Sequence, residues 1–184
     1  MGIGTIGDKR AVFFDRDGVL NEAVVRGGKP YPPADLDSVR LVEGAREGCR
    51  LLKDAGFLLI GVTNQPDVAR GTTRKDVVER INEHIRARVG LDEFRVCYHD
   101  DADRCHCRKP EPGLLLDASA DWGIDLSRSF MVGDRWRDVR AGARAGCRTV
   151  FFDRGYDEQL RDTPDMTVSC FEDAVSWILE RSRK

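Results

Sequence analysis

The sequence lacks any long hydrophobic run. Its apolar stretches are short, as at residues 57–60, whereas a helix needs about 20 apolar residues to cross a bilayer. Residues 1–10 contain no hydrophobic stretch of the kind found in secretion signals. These absences predict a cytoplasmic protein with no membrane partner.

The sequence also lacks an excess of charge of either sign. Its 30 Lys and Arg residues against 32 Asp and Glu residues give a formal net charge of -2 over 184 residues. Non-specific attraction to nucleic acid is therefore not expected. Repeats, low-complexity tracts and linkers of different composition are missing as well. Because this length suits one domain, we expect residues 1–184 to form a single domain that acts as a monomer.

Only six cysteines are present, but three of them crowd into one segment. Cys97, Cys105 and Cys107 lie beside His99 and His106. A chain without a secretion signal belongs in a reducing compartment, where clustered Cys and His residues indicate a metal rather than disulfides. Three thiolates and one imidazole form a closed tetrahedral set typical of structural zinc, with His99 as the nitrogen ligand or His106 in its place.

Strand-like and helix-like segments alternate along the chain. We expect strands near residues 10–14, 57–63, 94–99, 129–132, 149–152 and 166–168. We expect helices near residues 43–55, 73–88, 113–122, 136–145 and 171–181. This alternation predicts an α/β fold with a doubly wound parallel sheet and helices on both faces. Residues 19–42 are predicted to be a loop because residues 27–33 are rich in Gly and Pro.

Carboxylates follow the first predicted strand directly. Asp15 and Asp17 lie two positions apart where that strand ends, and such neighbouring acids repel unless a cation compensates them. Open α/β sheets bind their ligands at the carboxyl ends of their strands. A divalent metal at this edge is therefore expected.

Later strand ends supply what a phosphate and a metal would need. Thr63 offers a hydroxyl group for phosphate oxygens, and Lys109 offers a cation. Asp134 adds a third carboxylate, with Asp138 one helical turn later. Any one of these residues alone is better explained as a turn former, a solvated charge or a helix cap. Their joint placement at successive strand ends indicates a functional site.

With these residues in place, the sequence resembles the haloacid dehalogenase (HAD) superfamily of phosphotransferases over essentially its whole length. The segment Asp15-Arg16-Asp17-Gly18 matches the first motif of the family, Thr63 the second, Lys109 the third and Gly133-Asp134-x-x-x-Asp138 the fourth. The resemblance implies a Rossmann-like HAD core and a magnesium-dependent phosphatase. The sequence leaves no room for a large cap domain, and the Cys/His segment becomes a zinc-binding loop.

The resemblance also implies roles for individual residues. Asp15 would attack phosphorus and become an aspartyl phosphate, and Asp17 would protonate the leaving oxygen and then activate water. Magnesium would be held by the Asp15 carboxylate, the Asp17 backbone carbonyl and Asp134. Thr63 and Lys109 would hold the transferring phosphoryl group, with Asp138 in support. Zinc on Cys97, His99, Cys105 and Cys107 would do no chemistry but would rigidify the loop ahead of Lys109.

The Cys/His segment resembles one branch of the superfamily, which contains heptose bisphosphate phosphatases and histidinol-phosphate phosphatases. Ala69-Arg70-Gly71 resembles the heptose enzymes, whereas the short spacer between the metal-ligand pairs also occurs in the histidinol-phosphate group. Pro66-Asp67 departs from the commoner heptose pattern, which leaves the contacts of that loop open. The predicted substrate contacts are Asn64, Gln65, Arg70, Arg108 and Arg135.

The substrate implied by this resemblance is a small phosphorylated sugar. We predict removal of the 7-phosphate of D-glycero-D-manno-heptose 1,7-bisphosphate, a step in nucleotide-activated heptose biosynthesis, with histidinol phosphate as the alternative substrate. A phosphoryl-receiving signalling domain also gathers acids, a Thr and a Lys at strand ends. That function is less favoured because Asp17 stands ready to activate water and because such domains have no zinc loop.

Overall fold

The alternation of strands and helices is present in the structure, a computed structural model that describes residues 7–182. Its strands are β1 (Arg10–Phe14), β2 (Val24–Arg26), β3 (Lys29–Tyr31), β4 (Phe57–Asn64), β5 (Glu93–Cys97), β6 (Phe130–Gly133), β7 (Arg148–Phe152) and β8 (Met166–Val168). Its helices are α1 (Ala45–Asp54), α2 (Lys75–Val89), α3 (Gly113–Trp122), α4 (Trp136–Ala145) and α5 (Phe171–Ser182). The expected absence of a secretion signal and the predicted domain bounds of 1 and 184 fall partly on residues 1–6 and 183–184, which lie outside the described residues.

Six of these strands form one parallel sheet, in the order β5-β4-β1-β6-β7-β8. The chain runs outward from β1 through β4 to β5, and then returns to the other side of β1 through β6, β7 and β8. The order therefore reverses beside β1, and a crevice opens there between the carboxyl ends of β1 and β6. The predicted doubly wound α/β sheet is confirmed.

Apolar residues cover both faces of this sheet. Along β1 the buried side chains alternate, because successive residues of a strand point to opposite faces. Val12 and Phe14 pack in a core with residues of α1, α2 and α5. Ala11 and Phe13 pack in a second core with residues of α3 and α4. Burial on both sides holds the strand ends, and the polar residues that follow them, in fixed positions.

The predicted loop at residues 19–42 contains regular structure that the sequence analysis missed. β2 and β3 form an antiparallel hairpin there. Gly27 and Gly28 make its turn with φ angles of 55° and 72°, a left-handed conformation that favours glycine. Gly27 and Gly28, which indicated an irregular loop, are thus the turn of a two-stranded ribbon, and Pro30 occupies an edge position in β3. The hairpin lies beside the crevice at the end of β1.

No large cap domain is inserted between the elements of residues 7–182, as expected. The hairpin is the largest insertion between β1 and α1, and β4 leads to α2 through a short loop. Across the same residues, no helix is both long and apolar enough to span a membrane.

Candidate active site

Lys109 is the centre of a buried ion cluster at the carboxyl edge of the sheet. Its Nζ donates a hydrogen bond to Asp15 Oδ1 at 2.6 Å and to the carbonyl of Val62 at 2.7 Å. The same Nζ lies 2.6 Å from Asp138 Oδ1. Only 2% of Lys109 is exposed. The ammonium group of Lys109, from the third motif, thus contacts Asp15 of the first motif and Asp138 of the fourth.

Burial and charge act against each other on the pKa values of this cluster. Burial raises the pKa of Asp15 to about 6, although the neighbouring Lys109 lowers it. Burial also tends to lower the pKa of Lys109, but the ion pairs with Asp138 and Asp15 outweigh that effect and raise it. Lys109 is therefore a permanent cation at neutral pH, available to a phosphoryl oxygen.

Asp134, which follows β6, is buried, and the nearby Tyr156 and Lys109 compensate its charge only in part. Neither of its carboxylate oxygens has a well-formed hydrogen bond within residues 7–182, although the Tyr156 hydroxyl lies nearby. Burial, and then the charges of Asp15 and Asp138, raise its pKa well above the ordinary value. An ionised carboxylate in such a place is unfavourable unless a cation joins it.

Three carboxylates are close enough to share that cation. Oxygens of Asp15, Asp134 and Asp138 lie within 4.8 Å of one another. Both oxygens of Asp138 are engaged, one by Lys109 Nζ and the other by the backbone N–H of Arg135, whereas Lys109 holds only one oxygen of Asp15. Asp15 and Asp134 are therefore the better metal ligands. A Cβ at Gly18 would come within 1.9 Å of Asp134 Oδ2, so only glycine lets the chain after β1 pass this close. The hard oxygen donors and the orphaned Asp134 oxygens fit magnesium.

The side chain of Asp17 does not join this metal cluster but is held beside it. Arg16 donates to both of its oxygens, at 3.2 and 2.9 Å. Asn21 and Gln65 each donate a further hydrogen bond at 3.0 Å. Gln65 also donates to the hydroxyl of Thr63 at 3.0 Å. Gln65 thus contacts both Asp17 and Thr63, and the substrate contact expected of it stays a prediction.

Asn64 likewise makes a contact that the sequence analysis did not foresee. Its amide donates to the carbonyl of Lys109 at 2.9 Å and accepts from the Lys109 backbone N–H at 3.0 Å. This two-point contact fastens the end of the Cys/His segment to the end of β4. Asn64 borders the cavity, and its side-chain amide is engaged with the backbone of Lys109.

The Cys/His segment folds into a compact ligand cage. Sγ of Cys107 lies 3.3 Å from Sγ of Cys97, 3.5 Å from Sγ of Cys105 and 3.4 Å from Nδ1 of His99. Sγ of Cys97 lies 3.6 Å from both Cys105 Sγ and His99 Nδ1. Zn–S bonds of about 2.3 Å in a tetrahedron separate the sulfur atoms by about 3.8 Å. The cage fits zinc, and it uses His99, whereas His106 pairs with Asp117 at 3.2 Å.

The ion cluster opens into a cavity of about 290 Å³. Its cationic lining residues are Lys29, Arg70, Arg108, Lys109, Arg135 and Arg137. Lys29 comes from the hairpin and Arg137 from α4.

The three arginines predicted to bind substrate are all held by carboxylates of the protein. Arg70 makes a bidentate pair with Asp100 at 2.8 and 2.7 Å. Arg108 donates to Asp101 at 2.8 Å. Arg135 makes a bidentate pair with Glu158 at 2.7 and 3.0 Å. Asp100 and Asp101 belong to the Cys/His segment, so that segment aims two of the arginines into the cavity.

Sequence comparison connects this site to known proteins. A family model described as HAD-hydrolase-like matches residues 106–174. The D-glycero-beta-D-manno-heptose-1,7-bisphosphate 7-phosphatase of Pasteurella multocida is 36% identical over 148 residues, which cover 74% of this chain and 77% of that protein. The enzyme of the same name from Escherichia coli K12 is 34% identical over 181 residues, 92% of this chain and 87% of that protein. The chain belongs to the HAD phosphatase family.

A solved structure of an HAD phosphatase shares the fold. The D,D-heptose 1,7-bisphosphate phosphatase of B. bronchiseptica, solved with magnesium and phosphate, superimposes with a TM-score of 0.79 and 25% identity. The match covers 93% of this chain and 98% of that one. The present HAD phosphatase therefore has the fold of an enzyme whose site holds a metal and a phosphate.

Proposed function

We propose that this HAD phosphatase removes the 7-phosphate of D-glycero-β-D-manno-heptose 1,7-bisphosphate. The observation that carries this proposal is the cationic cavity around the buried Asp15–Lys109 pair, which offers several arginines to a second phosphate. The relatives named for this reaction support it, and their name supports the β-anomer. The chain is proposed to work as one domain, since the six-stranded sheet draws its strands from both halves of the sequence.

Catalysis is proposed to proceed in two half-reactions. Asp15 attacks phosphorus in line and becomes an aspartyl phosphate, while Asp17 protonates the leaving sugar oxygen. Asp17 then takes a proton from the water that attacks the aspartyl phosphate, so that one carboxyl group serves both steps. Lys109 and the Thr63 hydroxyl hold the phosphoryl oxygens. Asp138 holds Lys109 between itself and Asp15.

Two metals are proposed for the working enzyme. Magnesium would be held by the Asp15 carboxylate, the Asp17 backbone carbonyl and Asp134. When bound, it neutralises charge on the phosphoryl group and on the buried carboxylates. Zinc would be held by Cys97, His99, Cys105 and Cys107, and its part is structural. The two sites are separate, because the magnesium ligands follow β1 and β6 whereas the zinc ligands form the Cys/His cage.

A side-by-side assay tests the substrate. Phosphate release should be most efficient with the β-anomer of the heptose 1,7-bisphosphate, less so with the α-anomer, and poor with histidinol phosphate. Histidinol phosphate carries an amine rather than a second phosphate, and the cationic residues that line the cavity do not attract a positively charged amine. Higher efficiency with histidinol phosphate would overturn the proposal. A stable phosphoprotein without turnover would indicate a signalling domain instead.

Magnesium should stabilise the fold more at neutral pH than in acid. The folded-state pKa of Asp15 is raised from 3.8 to about 6, so the folded, metal-free protein binds this proton more tightly than the unfolded chain does. The free energy of unfolding without metal should therefore fall as pH rises from about 4 through 6. Thermal unfolding with and without MgCl₂ at about pH 5 and pH 7.5 checks this. An equal rise in Tm at both pH values would contradict the assigned metal site.

Arg108 should contribute to specificity rather than to general phosphoryl transfer. It directly precedes Lys109 and is aimed by Asp101. If it contacts the second phosphate, Arg108→Ala removes a charge-assisted interaction of about 1.5 to 3 kcal/mol, or roughly ten- to a hundredfold in kcat/KM. Efficiency on p-nitrophenyl phosphate should change little. Arg74→Ala, on an exposed arginine paired with Asp76, is the control. Equal losses on both substrates would contradict this role.

A further inference from the structure

Arg16, between the two acids of the first motif, has the largest fully buried side chain among the described residues. Its exposed fraction is 0%. A buried guanidinium group is costly unless its N–H groups find acceptors, and removing its partners leaves an uncompensated charge. Neither the motifs nor the proposed chemistry gives this residue a task.

The acceptors of Arg16 come from two elements. Its Nε and Nη2 donate to the two oxygens of Asp17 in a side-on, bidentate pair at 3.2 and 2.9 Å. Its Nη1 donates to Oδ1 of Asn82 at 2.8 Å. Asn82 lies on α2 and is itself buried. The guanidinium plane is thus anchored on a helix, and it fixes the plane of the Asp17 carboxyl group in turn.

Two more donors complete this arrangement. Asn21 donates to the same Asp17 oxygen as Nε of Arg16, and Gln65 to the same oxygen as Nη2. Each oxygen of the Asp17 carboxylate therefore accepts from two N–H donors, which fixes its direction, and the proton that Asp17 carries as an acid takes the place of one of these hydrogen bonds. A group that passes a proton to a leaving oxygen needs that orientation, because proton transfer requires heavy-atom distances of about 2.6 to 3.2 Å.

We propose that Arg16 is a positioning residue that orients Asp17 for proton transfer to the leaving group. It acts through Asp17 and does not touch the substrate: its side chain is buried and is absent from the lining of the cavity. This inference rests on the proposed acid–base role of Asp17. A purely structural Arg16 would affect every substrate alike, whereas a positioning Arg16 affects the first half-reaction only where the leaving group needs a proton.

Leaving-group dependence separates these two cases. The sugar oxygen of heptose 1,7-bisphosphate needs a proton to leave, whereas the phenolate of 2,4-dinitrophenyl phosphate does not. The value of kcat/KM covers the steps up to loss of the leaving group, so it isolates the first half-reaction. In the magnesium- and zinc-loaded enzyme, Arg16→Gln should lower kcat/KM on the sugar phosphate by about tenfold or more, and on the dinitrophenyl ester by less than about threefold.

Reference variants make the outcome decisive. Asp17→Asn should show the same selectivity in larger measure, and Arg16→Lys, which keeps the charge and some donors, should lie between Arg16→Gln and wild type. Asn82→Ala removes the anchor of Arg16 without touching Asp17, and should shift the ratio in the same direction. Arg95→Gln, at an arginine paired with Glu93 and Asp121 on the outer strand β5, should leave the ratio unchanged.

Each failure points to a different error. If Asp17→Asn is selective but Arg16→Gln loses the same factor on both substrates, Arg16 is structural and the inference is wrong. If Asp17→Asn itself loses equally on both substrates, the proposed acid role of Asp17 is wrong. Should Arg16→Gln fail to fold, Asn82→Ala decides, and an unchanged ratio in that variant overturns the positioning role.

Discussion

Asp15→Asn should abolish phosphate release while leaving the fold intact. The amide keeps the volume of the side chain but cannot attack phosphorus, so turnover should fall by about three orders of magnitude or more. Stability should not suffer, because burial raises the pKa of Asp15 and so makes its charged form unfavourable in the metal-free protein. Phosphate release under saturating magnesium, together with thermal unfolding, measures both effects.

Two further variants serve as comparisons for this result, one at a second catalytic residue and one as a control. Asp17→Asn should also abolish turnover of the sugar phosphate, because it removes the proton donor and the base. Asp54→Asn makes the same chemical change at an exposed residue of α1 that pairs with Arg50, and it should keep full activity. If Asp15→Asn retained a substantial fraction of wild-type turnover in saturating metal, the nucleophile would be another group.

Cys105→Ser should cost the protein its zinc and, with it, much of its activity. The cage closes the segment that leads into Arg108 and Lys109, and Asn64 fastens the far end of that segment to β4. Without the metal, Lys109 keeps its contacts with Asn64, Val62 and Asp138 but loses the rigid segment that precedes it. Since structural zinc contributes directly to folding energy, the loss should also lower Tm. Elemental analysis of protein purified without chelator should find one zinc per chain in the wild type.

Two controls sharpen the zinc experiment. His106→Ala should keep the metal, because His106 pairs with Asp117 rather than joining the cage. Cys147→Ser changes a buried cysteine of the core formed with α3 and α4, outside the cage, and should also keep the metal. Wild-type protein without zinc, or Cys105→Ser with unchanged zinc, would contradict the proposal.

The fold was predictable because local hydrophobic patterns in the sequence indicate its strands and helices. Asp15 follows β1 and Asp134 follows β6, and strand alternation alone places both at one edge of a parallel sheet. The hairpin β2–β3 was not predictable in the same way. Its strands are very short, and Gly27-Gly28 was interpreted as part of an irregular loop. The pairing of the two strands in the structure identifies it as a hairpin turn.

The sequence by itself determined the chemical types present: paired acids after a buried strand, a lysine, a hydroxyl group, and a Cys/His segment with zinc-ligand spacing. Only the tertiary structure decided which polar group meets which. Arg16 finds Asn82 on a helix 66 residues away, and Arg135 finds Glu158 23 residues away. Such pairs depend on distances across the folded sheet, and no local periodicity encodes them. For the same reason, only the folded structure shows that Gln65 contacts Asp17 and that His99, not His106, lies with the three cysteines.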